Sequence, residues 1–379
     1  MSGIPIPTIF LLGGLLPFCK PLYAGSRVFW ILSGLSSLYL LAIALVNAKF
    51  NPLFGLKDIA YFALPIQFLF SYLIFYNVFK RRTALRTVFE KFCLAFIVFQ
   101  AILLVCEYLN IGPIIKVFMP YMRWFIVNVS GIDTQLNYLS LRPGGTLGNP
   151  VLLGITGYII GRHLSITRQN SWYLVLGFGI MMLTVSRTPF IGALLAEATC
   201  LALWPPKQVS RKILRDAAIG FVILLAGLAS VLFFVPFMRP FLTAILSGGG
   251  AGLSNDESVS YRSQILLWAS THVNQLWFGG LSLAESPAAV DSEVIMRSLQ
   301  FGWLGYLVLQ FPVWCFVTLG FEVRNPAALK FGVILLVFCL FCSLTFSPFS
   351  YPYLLIWYGC LLAYWMADPT NTKSGLLTA

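Results

Sequence analysis

The stretch SWYLVLGFGIMMLTVSRTPFIGALLAEATCLALW, residues 171–204, carries only two charged side chains, Arg187 and Glu197. Drawn as one straight helix it measures about 50 Å at ~1.5 Å per residue, well beyond a hydrocarbon core of roughly 30 Å. The run must therefore break, and Thr188-Pro189 supplies the break. Threonine is a good helix N-cap, and proline suits the first helical position, where its missing N–H is not needed. This reading predicts two short antiparallel spans joined by a tight turn, with Arg187 in the turn beside a fresh helix N-terminus.

The rest of the chain has the same character. Of its 379 residues 59% are hydrophobic and 10% charged, with a mean hydropathy of +0.84. So little polar surface cannot cover a water-soluble domain, and apolar runs of spanning length recur throughout. The expected fold is all-α: a polytopic integral membrane helical bundle of about 10–12 transmembrane helices, one membrane domain over 1–379. Approximate spans are 28–47, 58–79, 92–108, 150–161, 171–185, 188–204, 214–235, 300–320, 331–346 and 352–367, with 5–19 a candidate extra span. No cleavable signal peptide is expected, because the basic residues follow the apolar stretch 4–19 instead of preceding it.

The net charge of +12 resides in loops: Lys20/Arg27, Lys80-Arg81-Arg82/Arg86/Lys91, Arg162/Arg168, Lys207/Arg211/Lys212/Arg215 and Arg324/Lys330. Placing all five clusters in the cytoplasm satisfies the positive-inside rule, since two spans or none separate each from the next. The charge is thus a topology signal, and no nucleic-acid partner is expected. Eight cysteines lie mostly within apolar runs, without a C-x-x-C pair or grouping with His163 or His272; neither disulfides nor a metal site is expected.

Segments 48–57, 109–149, the turn at 186–187, 236–299 and 347–351 then fall on the outer side. Residues 236–299 form the large outer loop, opening with SGGGAGLSNDES (247–258) and continuing through the helix-like YRSQILLWASTHVNQLW (261–277). Lys116, Pro120 and Arg123 interrupt the apolar segment 111–130, so an interfacial or re-entrant helix is expected there.

The pattern around Arg187 repeats in LRPGGTLGNPVLLG (141–154), where Arg142 precedes a glycine-containing turn and Asn149-Pro150 opens an apolar helix. Helix starts at Asn149 and Thr188, each with an arginine close by, are candidate anion sites: unpaired backbone N–H groups and the helix dipole favour negative charge, and guanidinium grips phosphate in a fork. Arg262 heads the helix-like part of the large loop. Interfacial arginines also snorkel to lipid headgroups, but three on one face favour a bound anion. Gly144, Gly145 and Gly148 are no nucleotide P-loop, as no G-K-[ST] follows.

Outer acids are Asp133, Asp256, Glu257, Glu285, Asp291 and Glu293. Asp291 and Glu293 stand out as proton-transfer candidates because VDSEVIMRSLQFGWLGYL (290–307) runs from the polar loop into a span; their alternative role is to favour the N-terminus of that helix. Glu197 is an intramembrane acid, read as pairing with a polar partner inside the bundle, with proton coupling as the alternative. The tryptophans and aromatic runs read as interface belts and core.

Four stretches, RPGGTLGNPVLLG (142–154), TVSRTPFIGALLA (184–196), SYRSQILLWASTHVNQLWFGGLSL (260–283) and VDSEVIMRSLQFGWLGYL (290–307), resemble in order and spacing the O-antigen ligase and polymerase family of bacterial envelope proteins. The resemblance covers roughly residues 60–370. It implies a multi-pass protein of the bacterial inner membrane, with a large periplasmic loop and an active site facing the periplasm. Such proteins move glycan from an undecaprenyl diphosphate carrier onto an acceptor hydroxyl without nucleotide, metal or other cofactor. Carried over, the diphosphate-holding role falls on Arg142, Arg187 and Arg262. Ligases have His-Asn before the next span where this chain has Asp291-Ser292, and His272 lies earlier. That departure points to the polymerase branch, whose acceptor is another lipid-linked repeat unit, with Asp291 or Glu293 as base. Expected partners are the lipid-linked donor and acceptor and membrane lipid, with a chain-length regulator and a flippase besides. A ligase acting on lipid A core or protein, and a flippase for lipid-linked sugars, are the alternatives.

Overall fold

The computed structural model describes residues 12–15, 26–108, 149–184, 187–205, 257–282, 285, 292–322, 326–344, 346, 348–349 and 351–367. Among these residues the regular structure is helical, without strands. The helices are α1 (Arg27–Phe50), α2 (Leu56–Ile59), α3 (Ala63–Arg81), α4 (Ala84–Tyr108), α5 (Pro150–Thr167), α6 (Trp172–Leu183), α7 (Arg187–Leu203), α8 (Glu257–Thr271), α9 (Gln275–Phe278), α10 (Glu293–Leu309), α11 (Phe311–Glu322), α12 (Pro326–Cys342) and α13 (Pro352–Met366). A 3-10 turn, Ala60–Phe62, joins α2 to α3. Four stretches, Arg27–Phe50, Ala60–Arg81, Ala84–Cys106 and Glu293–Phe321, are long and apolar enough to cross a membrane. α1 leaves Leu35, Leu38 and Phe50 exposed, and α4 leaves Phe92 and Ile102 exposed. Such surfaces suit lipid and not water. The expected spans 5–19 (apart from 12–15) and 214–235, and the segment 111–130, lie outside the described residues.

The chain divides into two compact units, Phe92–Ser270 and the pair of segments Ser2–Lys91 and Thr271–Ala379. In the first, α5 and α6 form a close antiparallel pair. A Cβ added at Gly161 would stand 2.6 Å from the carbonyl oxygen of Tyr173 and 3.0 Å from the Cα of Gly177, so only glycine admits this approach. α7 joins them through Phe190, edge to face on Phe178 of α6, which itself meets Tyr158 of α5 edge to face.

α5 is longer than the sequence predicts. It runs to Thr167 and ends where Gln169 takes a left-handed φ of 50°. Arg162 is therefore a helix-interior residue and not part of a loop cluster. Its guanidinium pairs with Glu197 at 3.1 Å, and the Tyr158 hydroxyl donates to the same carboxylate at 2.8 Å. This is the polar partner expected for Glu197; the cost of holding a charge in an apolar bundle is met by an opposite charge and a hydroxyl.

In the second unit α3 and α13 run side by side in the same direction: Gln67 donates to the carbonyl of Pro352, Ser71 lies against Gly359 and Phe79 packs edge to face on Tyr364. One end of this unit gathers the end of α3, with Lys80 and Arg81, and the start of α4. There the Arg86 guanidinium sits 4.4 Å from the Tyr364 ring centre, and the Tyr364 hydroxyl donates to Glu90. At the opposite end meet the last turns of α1, the α2 turn, residues 279–282 with Glu285, the start of α10, and Ser343 and Phe349 after α12.

Two expectations need correction. The span predicted at 300–320 begins earlier, at Glu293, because the Ser292 hydroxyl caps α10 by accepting from the N–H of Ile295 at 3.3 Å. The helix-like stretch 261–277 is not one helix: α8 stops at Thr271, and α9 is a separate turn.

Candidate functional site

Both predicted helix starts exist, with different details. At α5 the Asn149 side chain accepts from the N–H of Leu152 at 3.0 Å, and Pro150 occupies the first helical position. At α7 the helix begins at Arg187, so Thr188 falls in the first turn and is not the residue before the helix. The turn after α6 is closed at Thr184, whose N–H bonds to Ile180 O and whose hydroxyl bonds to Met181 O at 2.9 Å. Arg187 thus stands at a helix start, as the break in the 171–204 run requires. Arg262 lies in α8, five residues from its first residue, Glu257. The side chains of Arg187 and Arg262, and the whole of Arg142 and Asp291, lie outside the described residues.

Glu293 is described, and it is fully buried. It occupies the first turn of α10, where a carboxylate suits the helix dipole. One carboxylate oxygen accepts from the N–H of Phe349 at 3.2 Å, and the N–H of Val294 bonds to Ser343 O at 3.2 Å. Glu293 thereby ties the link between α12 and α13 to the start of α10.

Around this point the structure assembles a polar network that the sequence reading did not find. Asp58 is 2% exposed. One of its oxygens accepts from the Gln300 amide nitrogen at 2.6 Å; the other accepts from Gly55 N at 2.9 Å and lies 3.0 Å from the Ser282 hydroxyl. The Gln300 amide oxygen accepts from Arg297 at 2.6 Å. Arg297 also donates to the Tyr61 hydroxyl at 2.6 Å and stacks 3.9 Å from that ring's centre. Only one orientation of the Gln300 amide satisfies both neighbours, nitrogen toward the carboxylate and oxygen toward the guanidinium. A buried negative and a buried positive charge are thus joined through a neutral amide.

The backbone reason for this convergence is a break in α10 at Gly302, where φ is +75°. A Cβ there would lie 2.5 Å from the carbonyl oxygen of Trp277, and one at Gly279, φ +76°, would lie 2.6 Å from Gln300 O. Glycine at both positions lets the segment after α9 lie along the broken helix, with Gly280 N bonded to Gln300 O at 3.2 Å and Leu281 N to Leu299 O at 3.1 Å. From α1, Asn47 donates to Gln300 O at 3.0 Å and Asn51 to Gly280 O at 2.8 Å. Asn51 also donates to the Glu285 carboxylate at 2.7 Å, and the same oxygen accepts from Ser282 N at 2.7 Å.

The signal available in the sequence was small: polar Arg297 and Gln300 one turn apart inside an apolar helix, and the G-x-x-D of Gly55–Asp58 before a span. No protein-family model matches the chain, and no curated protein matches it.

Proposed function

We propose that this protein is a metal-independent glycosyltransferase of the O-antigen polymerase type. It joins undecaprenyl-diphosphate-linked oligosaccharide repeat units at the periplasmic face of the bacterial inner membrane. The observation that carries the reading is the meeting of residues 47–61, 279–282 and 292–300 with Glu285, Ser343 and Phe349 at one end of their unit, opposite the end that holds Lys80, Arg81 and Arg86. A polar network gathered at one end of an apolar helical unit suits an enzyme whose substrates keep their polyprenyl tails in lipid. In their own unit, the helix starts after Asn149 and at Arg187 leave backbone N–H groups that favour an anion, which is consistent with this reading.

The lipid diphosphate is already a good leaving group. The protein has to hold it, stabilise the charge that grows as the glycosidic bond breaks, and orient the acceptor hydroxyl. Arg142, Arg187 and Arg262 take the first two tasks in this proposal. A carboxylate of the outer loop receives the hydroxyl proton.

Purified wild-type protein given only lipid-linked repeat units is expected to extend them into polymer. Arg187→Ala and Arg142→Ala are expected to abolish polymer at near-normal protein levels, while Arg187→Lys restores part of it, since a point charge lacks the guanidinium fork. Unchanged polymer length in both alanine variants overturns the diphosphate clamp. In a deletion strain, single repeat units accumulating on the carrier are the expected outcome. Full-length chains on the carrier mean a ligase, and units trapped on the cytoplasmic side mean a flippase.

A further inference from the structure

We propose that Glu285 is the carboxylate that takes the proton from the acceptor hydroxyl, a role that rests on the polymerase reading above. Three outer-loop or loop-end carboxylates have described bonding, and they differ in what they can do. Asp58 is 2% exposed, and its two oxygens face three donors; it is a structural anchor. Glu293 is fully buried and holds the N–H of Phe349. Glu285 is exposed, yet its carboxylate does not swing freely. Its Oε2 accepts from Asn51 and from the backbone of Ser282, both at 2.7 Å, while Oε1 has no partner among the described residues.

Each of the two donors is itself held. Asn51 reaches Gly280 O with the same amide group, and the Ser282 hydroxyl lies 2.6 Å from Leu53 O and 3.0 Å from Asp58. The position of Glu285 is therefore inherited from the buried Asp58–Gln300–Arg297 network. A general base needs this combination: one oxygen that fixes the group and one that meets substrate, on a support that does not move.

The step balances without a further reagent. The acceptor oxygen bonds to the anomeric carbon of the donor as the bond from that carbon to the diphosphate oxygen breaks. The electron pair leaves with the diphosphate, and the hydroxyl proton passes to Oε1 of Glu285 and then to water.

The test uses full-length protein in detergent or vesicles with lipid-linked repeat units. Glu285→Ala is expected to lose about 10²–10⁴-fold in polymerisation rate, to retain binding of the lipid-linked donor, and to regain rate on addition of formate, which a purely structural loss would not show. Glu285→Asp should retain part of the rate, and Asp291→Ala should not be rescued by formate. In wild-type protein, a water-soluble carbodiimide is expected to label Glu285 and inactivate the enzyme, with the repeat unit slowing both; this arm holds even where the alanine variant fails to fold. A wild-type rate in Glu285→Ala, labelling of Glu285 without loss of activity, or formate rescue at Asp291→Ala instead overturns the assignment and leaves the polymerase reading standing. Wild-type protein inert toward lipid-linked repeat units overturns both.

Discussion

The two compact units each bury a pair of opposite charges, and they do so in different ways. In the first, Arg162 and Glu197 meet directly at 3.1 Å between two helices, with Tyr158 on the second carboxylate oxygen. In the second, Asp58 and Arg297 are bridged by the Gln300 amide, and the network extends through Gly55, Ser282 and Tyr61. The direct pair, with the guanidinium also 3.6 Å from the Cys200 sulfur, clamps helices α5 and α7 through side chains alone. The bridged pair binds loops to the end of a broken helix and holds Glu285 through Asn51 and Ser282. A pair held by side chains alone can be exchanged for apolar packing, whereas removing a carboxylate that also holds a backbone N–H leaves that N–H without its acceptor.

Asp58→Ala should therefore have the largest effect. It leaves Gly55 N, the Ser282 hydroxyl and the Gln300 amide without their carboxylate and Arg297 without the charge that the amide bridges to it, and about 3–5 kcal/mol of stability is expected to be lost. Thermal unfolding in detergent measures it, with increased protease cleavage in the 279–285 segment showing that this end opens first. A double substitution of Asp58 and Arg297 by leucine should remain strongly destabilised. The matching double substitution Arg162→Leu with Glu197→Leu, combined with Tyr158→Phe so that no hydroxyl loses its acceptor, should sit near wild type, because both ions leave together and apolar side chains replace them; an equal loss in the two sets would erase the contrast.

Gly302→Ala comes next. The left-handed backbone alone costs on the order of 1–3 kcal/mol, before the 2.5 Å approach to the carbonyl of Trp277 is relieved. The melting temperature should fall, and polymerisation should fall with it as the Glu285 segment lifts off α10. Alanine at Gly161, in the other unit, should cost stability through the Tyr173 contact without a matching loss of rate from Glu285.

Asn51→Ala removes hydrogen bonds at a partly exposed site and is expected to cost about 1 kcal/mol, with a drop in polymerisation rate larger than the small loss in stability. The smallest effect belongs to Asn149→Ala, roughly 0.5–2 kcal/mol from the lost cap. Hydrogen exchange at Leu152 reads it directly, since that N–H loses its acceptor.

The helices were legible because their causes are local. The 171–204 run had to break for length, and the break falls between Leu183 and Arg187. Asn149-Pro150 announces α5 through a cap and a proline within two residues. Helix ends were less legible: nothing apolar or polar distinguishes Arg162 as helix interior until Glu197 is placed beside it. Glu293 looked like a residue at an open mouth, and its burial depends on Phe349 folding over it.

By itself the sequence determined that the chain is helical and apolar enough to cross a membrane, since run length and caps act over a few residues. Only the tertiary structure decided which polar groups meet. Ser282 finds Asp58 from 224 positions away, and Asn47 finds Gln300 from 253. No local pattern encodes such a meeting. It follows from a helix broken at Gly302, two backbones brought together where neither carries a Cβ, and the need of every buried charge for a partner.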